Sequence, residues 1–364
     1  VYVLAVRWSG QAVAGQDEGA LVGAASVPGL LRTTTTPEFA GLTFHEVLAK
    51  SALSQVPAMS AMPFRWTVNP YRGCSHSCTY CYARYTHSYL DLDTGEGFDR
   101  EIVVKTNVGE RLAVELGKPS WNREHVVLGT GTDPYQRAEG RYRLMPRVVE
   151  ALHRSGTPFS VLTKGTLLRR DLPLLADAAR DVPVGVGVSI AVWDDELHRS
   201  LEHGAPTPRA RLDLVRAVRA AGLPCGVFLA PVLPHLTDSA EQLDAALADV
   251  AAAGATGVTV VPLHLRPGAR EHVARWVGRH RPDLVPAYRE LYRRGAYVPR
   301  GYREALAARL APLLEQHGFA ASTSGELREG AWPEGSLPLT APPSSSSSRA
   351  VMTTTGAEPA PTLF

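Results

Sequence analysis

The sequence predicts an α/β fold in which six parallel strands, each followed by helix, form a curved sheet or barrel. Three observations lead there. Six short apolar runs recur at 66–69, 125–129, 159–162, 184–190, 226–230 and 257–261. The stretches between them carry helical periodicity with recognisable start and stop residues. Parallel strands need long crossovers, and right-handed crossovers curve a sheet toward closure.

Taken in order, residues 1–65 mix Gly, Ala and Thr with weak periodicity and read as a partly irregular N-terminal extension. Thr33 to Thr36, followed by Pro37, predicts extended linker, and 44–52 predicts a short helix. The strand–helix repeat fills 66–262. Within it, 209–221 places Leu212, Val215 and Val218 on one face, starts at Thr207-Pro208 and stops at Gly222. Asp238 with Glu241 predicts the cap of a helix carrying Leu243, Leu247 and Val250 and ending at Gly254. Residues 263–317 read as a basic helical extension. Residues 318–364 hold Pro342-Pro343, five serines at 344–348 and a Thr/Pro/Ala mix, and predict a disordered tail.

Composition removes whole classes. Hydrophobic residues make up 45% and charged residues 20%, enough for a core and too apolar for a wholly disordered chain. Net charge is +2, so any nucleic-acid surface is a local patch. Four cysteines in 364 residues exclude a disulfide-framed scaffold. The opening VYVLAV run stops at Arg7, too short for a secretion signal. Residues 19–31 include Pro28 and are too short to cross a bilayer. The expectation is a cytoplasmic protein without a membrane partner.

Three of the four cysteines fall within eight residues: Cys74, Cys78 and Cys81, spaced C-x3-C-x2-C in NPYRGCSHSCTYCYAR. Thiolates so close on one loop suit a metal. A zinc site needs a fourth ligand, which His76 or His87 could give. A [4Fe–4S] cluster needs only three and leaves its fourth iron open.

This motif, with Tyr80 just before the last cysteine, resembles the radical SAM superfamily. The wider run through TDPYQRAEGRY, VLTKGTLLRRDLPLL and APVLPHLTD resembles its spore-photolyase-like branch, most closely an actinobacterial subgroup, over about residues 30–320. The resemblance implies a partial (β/α)6 barrel with a [4Fe–4S] cluster after its first strand. S-adenosylmethionine (SAM) is expected on the open iron, cleaved by one electron to methionine and a 5′-deoxyadenosyl radical. An electron donor of flavodoxin or ferredoxin type is implied as well.

Barrel chemistry sits at the C-terminal ends of strands. There the sequence offers Thr130, Thr132 and Asp133 after the second strand, Lys164 after the third, Ser189 after the fourth, Pro231 after the fifth and His264 after the sixth. The resemblance places Tyr80 near the adenine and Lys164 on the cofactor's carboxylate. Ser189 suits ribose or carboxylate, or simply caps its strand. Asp133 and Tyr135 face ribose or substrate, or Asp133 serves an Asp-Pro turn. Glu202 and Arg211 read as a family-like segment or a structural ion pair. Spore photolyases return a hydrogen atom from a cysteine after the second strand, yet GTGTDPYQ has none. Cys225 could replace it only by facing the barrel interior, and is otherwise a small buried hydrophobe. Tyr80, Tyr82 and Tyr135 are the other hydrogen donors in view.

Between Leu263 and Arg309 eleven Arg stand against four acids, interleaved with Trp276, Tyr288, Tyr292, Tyr297 and Tyr302. Such a surface suits phosphates and unpaired bases, as does a solvated helical face suit the charges alone. The terminal Leu363-Phe364 pair resembles peptides by which bacterial repair proteins bind the sliding DNA clamp. The leading expectation is therefore a radical SAM enzyme acting on nucleic acid, with a DNA lesion among its candidate substrates. Its rivals are radical SAM modification of RNA or a small nucleotide, and a non-catalytic zinc-stapled nucleic-acid-binding protein.

Overall fold

The structure, a computed structural model, describes residues 27–57 and 62–319. Two sheets build it. The smaller holds β1 (Leu30–Thr35), β2 (Thr43–Val47), β5 (Tyr71–Arg72) and β6 (Glu101–Lys105), in the order β1-β2-β6-β5. The larger holds β3 (Leu53–Gln55), β4 (Trp66–Val68), β7 (Val126–Leu128), β8 (Phe159–Thr163), β9 (Val184–Ser189), β10 (Cys225–Val232) and β11 (Gly257–Pro262). Its order is β11-β10-β9-β8-β7-β4-β3. The six strands from β4 to β11 are parallel, and only the edge strand β3 is antiparallel. β11 and β3 are free edges, so this α/β barrel is partial.

All six strands expected from the apolar runs are present. The helices in chain order are α1 (Glu96–Arg100), α2 (Val108–Leu116), α3 (Arg137–Tyr142), α4 (Met145–Arg154), α5 (Leu172–Ala178), α6 (Asp195–Leu201), α7 (Pro208–Ala220), α8 (Ala240–Ala252), α9 (Ala269–His280), α10 (Val285–Leu291) and α11 (Arg300–Gln316). α7 begins as expected: the Thr207 side chain accepts from Ala210 N and Pro208 follows. It buries Leu212, Val215 and Val218.

Three local expectations are corrected. No helix spans 44–52; β2 fills its first half and β3 follows directly after it, because a short apolar run has no length to favour a helix and Thr, Phe and Val suit a pleat. The threonine run is not a linker but strand β1, antiparallel to β2, with Arg32 paired to Glu46 at 2.8 Å. The cap of α8 is Ser239 with Gln242, which form a reciprocal capping box. Asp238 accepts instead from His235 N and from the Tyr302 hydroxyl.

The main core fills the space between the large sheet and its helices. α11 adds Leu306, Leu310 and Leu314, spaced for one helical face, and His317 ties its end to Asp244 at 2.6 Å. A second core lies under the C-terminal extension and joins Val273, Trp276, Val277, Tyr288 and Tyr292 to Cys78 and Tyr80. The extension thus forms a wall behind the cysteine loop. Four of the five aromatics read as a stacking surface turn inward. Trp276 is buried, Tyr288 donates to Pro234 O at 3.0 Å, Tyr292 to Leu263 O at 2.8 Å, and Tyr302 to Asp238. The tail from residue 320 on, Leu363-Phe364 included, lies outside the described residues. Among those described, no helix is long and apolar enough to cross a membrane.

Candidate active site

The chain leaves β4, makes the two-residue β5, and enters the cysteine loop at Gly73. That glycine has φ +76°, and a Cβ on it would lie 2.7 Å from Glu101 O, so no other residue fits. Its carbonyl accepts from Thr132 Oγ1 at 2.6 Å and Gln136 Nε2 at 3.0 Å. Cys74 N donates to Phe98 O, Ser75 N to Gln136 Oε1, and Thr79 N to Leu201 O, each at 2.9 Å. Three separate segments therefore hold the loop backbone. Gly204 presses on it from the far side, where a Cβ would meet Ser75 O at 2.2 Å. The fully buried Arg84 closes the loop, donating to Cys78 O and to both Asp99 oxygens at 2.9 Å. Burial lifts Asp99 to about 6 against the pull of Arg84.

Cys74, Cys78 and Cys81 are all free thiols on this rigid loop, the first two buried. Burial raises the pKa of each. Lys164 and Arg211 work against that rise at Cys78, and Arg84 does so at Cys81. Such thiols keep their protons until a positive centre displaces them, which is what a coordinated metal does. Among the described residues no three His, Cys, Asp or Glu side chains converge on one point for a lone ion. A cluster asks for something else, one thiolate on each of three irons, and three thiols in eight residues on a preformed loop fit that donor set.

A polar hub stands beside the loop. Glu202, just past α6, is fully buried. Its carboxylate accepts from the Tyr80 hydroxyl and from Arg211, lies 3.2 Å from Lys164 Nζ, and is 3.5 Å from His198 Nε2. Arg211, also fully buried, donates to Ser189 O at 2.9 Å and to Pro206 O at 2.8 Å. Lys164 Nζ donates to Ser189 Oγ at 2.8 Å and lies 5.6 Å from the centre of the Tyr80 ring. Burial lowers Lys164 to about 8; Cys78 pulls it up and Arg211 pushes it further down. It therefore carries its charge at neutral pH.

The structure brings together Tyr80, Lys164 and Ser189 beside Cys78. It gives other assignments to three sequence-predicted residues. Asp133 is a brace: Oδ1 accepts from Thr163 Oγ1 at 2.6 Å and Tyr135 N at 2.9 Å, while Oδ2 accepts from Lys164 N at 2.6 Å and faces His76 Nδ1 at 3.2 Å. Burial alone would raise its pKa, but His76 and these bonds hold it below the usual carboxylate value. Both oxygens are committed to protein, so Asp133 locks the cysteine loop to β8 rather than facing a ribose. Tyr135 is buried in the main core, and its hydroxyl is beside Asp171, in the cluster where Glu139 accepts from Tyr71 and Arg170. Cys225 opens β10 at the end remote from the mouth. It pairs with Val186 and joins the main core, whereas Phe228, of opposite parity, pairs with Ser189. Cys225 faces the helix layer, and burial raises its thiol to about 12.

Sequence reasoning undervalued Glu202 and Arg211. It weighed them as a family-like segment or a structural ion pair between loop and helix, and the structure makes them the buried centre of the hub. Their i, i+9 spacing gives no helical signal; only the family-like LEHGAPTPRAR segment hinted at them.

These features, a cysteine loop after the first parallel strand and a cationic hub at the strand ends, agree with comparison to known proteins. Residues 68–247 match the radical SAM superfamily, and the chain belongs to that superfamily. Membership implies a [4Fe–4S] cluster and SAM. An uncharacterised protein of Mycobacterium tuberculosis is 60% identical over 319 residues, covering 86% of this chain and 94% of that protein. An uncharacterised protein of Acidianus two-tailed virus is 27% identical over 216 residues, 57% of this chain and 70% of its own. Among solved structures, spore photoproduct lyase complexed with dinucleoside spore photoproduct matches with TM-score 0.57 and 15% identity, over 75% of this chain and 79% of that one. A mutant of it with bound AdoMet and dinucleoside spore photoproduct matches with TM-score 0.53 and 16% identity, over 72% and 78%. The chain shares the fold of these lyases.

Proposed function

We propose that this chain is a radical SAM enzyme that abstracts hydrogen from a nucleic-acid substrate, in the manner of the spore-photolyase-like branch. One observation carries the cofactor half of the reading: a charged, nearly buried Lys164 beside Ser189, Tyr80 and Cys78 at the mouth. Cys74, Cys78 and Cys81 would hold a [4Fe–4S] cluster, which when bound would supply the one-electron reductive cleavage of SAM to methionine and a 5′-deoxyadenosyl radical. Lys164 neutralises the cofactor's carboxylate, exchanging Glu202 for it. Ser189 holds Lys164 in place, and Tyr80 offers its ring to the adenine. The second core keeps water from the loop. Cys225 faces away, and of the tyrosines in view as hydrogen donors Tyr82 is the exposed one at the mouth.

The likeness to lyases described with a dinucleoside photoproduct favours a DNA lesion as substrate. Three unpaired thiols reserved for iron suit a reducing cytoplasm, where a flavodoxin or ferredoxin serves as donor. Docking to a sliding clamp through Leu363-Phe364 stands as a proposal, checked by calorimetry of the clamp with full-length chain and with chain ending at Ala360. Equal heats from both would remove it.

Anaerobic incubation with SAM and reductant tests the main reading. 5′-Deoxyadenosine should form, and deuterium should pass into it from a labelled oligonucleotide. A colourless, zinc-containing protein making no 5′-deoxyadenosine would overturn it. Lys164→Ala should keep the cluster yet weaken SAM binding tenfold to a hundredfold, because a charge-assisted hydrogen bond is worth about 1.5–3 kcal/mol. An unchanged dissociation constant in anaerobic titration would put Lys164 outside the cofactor site.

A further inference from the structure

Among the described residues three tyrosines reach solvent, and only one of them, Tyr297, belongs to the basic extension. Tyr82, Tyr89 and Tyr297 are 37%, 52% and 56% exposed, and they make up three of the seven exposed large hydrophobic side chains among the described residues. They are also gathered. Tyr82 begins the helical run Tyr82–Leu90 that follows Cys81, and its ring lies 6.1 Å from that of His264. His264 lies 5.5 Å from Tyr297. Further along the same run, Tyr85 and Tyr89 meet edge to face at 5.7 Å. The two groups share the run Tyr82–Leu90, and Arg266, exposed, stands beside the first of them. It donates to the Tyr297 hydroxyl at 3.2 Å, and its charge acts on Tyr82, Tyr85 and Tyr89. Just past Tyr89 the chain turns acidic at Asp91 and Asp93, which bounds the strip.

Exposed tyrosine rings beside a guanidinium fork suit one ligand chemistry best: unpaired bases on a phosphate backbone. A duplex hides its base faces and is held by many phosphate contacts, whereas the strip offers rings and a single exposed arginine, Arg266. We propose that the strip from Tyr89 and Tyr85 through Arg266 to Tyr82, His264 and Tyr297 binds single-stranded nucleic acid. It stacks the nucleotides flanking the one presented to the cysteine loop. An enzyme acting on a base must take it out of the stack, and the strip holds the strand open on either side. This rests on the nucleic-acid reading above and narrows it to unpaired substrate.

The test is fluorescence anisotropy of iron-loaded full-length chain with a labelled oligothymidylate and a labelled duplex of equal length, without SAM or reductant. Tyr89→Ala and Tyr297→Ala should each weaken single-strand binding about fivefold or more, the range for one lost stack. Tyr89→Phe and Tyr297→Phe should bind as the parent, because the ring remains. Arg266→Ala should lower the salt slope by roughly 0.7. Both tyrosines are exposed at opposite ends of the strip, so one variant still reports should the other misfold. Alanine variants that bind like the parent, phenylalanine variants as weak as alanine, or a duplex bound as tightly as the single strand would each overturn the proposal. No oligonucleotide binding at all would do so too, leaving the strip to a protein partner. Binding is read without turnover, so failure here leaves SAM cleavage untouched, and failure of SAM cleavage leaves the strip testable.

Discussion

Replacing Cys74, Cys78 and Cys81 together by alanine should remove all iron from anaerobically reconstituted protein, and the brown colour with it. The remaining cysteine cannot compensate: Cys225 lies in the main core, facing the helices. The loop itself should survive, because its bonds run from backbone to Gln136, Thr132, Arg84, Phe98 and Leu201 rather than through sulfur. Far-UV circular dichroism should therefore match the parent, so that lost iron reports lost ligands and not lost fold. Single replacements should leave partial or unstable clusters, because two thiolates no longer hold three corners. A [4Fe–4S] spectrum retained by the triple variant would refute the assignment.

The features legible in the sequence are those written locally. C-x3-C-x2-C puts its chemistry in eight consecutive residues, and each β/α unit carries its own apolar run and stop residue. What escaped depends on distance or on direction. Tyr80 and Glu202 are 122 residues apart, and no periodicity joins them. Tyr135 sits in a motif that reads as catalytic, but the turn Asp133 makes with Tyr135 N and Thr163 sends the ring into the core. The tyrosines at 288 and 292 looked like stacking residues among arginines. Their i, i+4 spacing is also that of a buried helical face, and that is the role they take. Of the tyrosines that do reach solvent, Tyr297 was among those read as stacking residues, Tyr82 follows Cys81 directly and was absorbed into the cysteine motif, and Tyr89 carried no signal of its own. The strand at 101–105 was overlooked because EIVVK lies between two segments with stronger signals, yet β6 is what pairs β2 with β5 under the loop.

Arg211→Met should destabilise the protein by about 3 kcal/mol, toward the lower end of the range for breaking a buried ion pair. The guanidinium is fully buried and serves four acceptors, Glu202, His198 Nε2, Ser189 O and Pro206 O. Methionine fills much of the volume but takes a donor from both carbonyls and strips the Glu202 carboxylate of a partner. The loss stops short of the upper end because Lys164 Nζ remains 3.2 Å from that carboxylate and the Tyr80 hydroxyl still donates to it. Adding Glu202→Gln should restore part of the stability, since it removes the buried charge that Arg211 had balanced. Glu202→Gln alone should cost stability for the opposite reason: Lys164 and Arg211 then face each other without an anion between them. The double-mutant cycle should consequently be strongly non-additive. Urea unfolding of the four proteins measures it. Additive losses, or a loss below about 1 kcal/mol for Arg211→Met, would mean that the pair behaves as a solvent-relaxed surface bridge. The hub would then have no hold on Tyr80 and Lys164, and their placement beside Cys78 would need another cause.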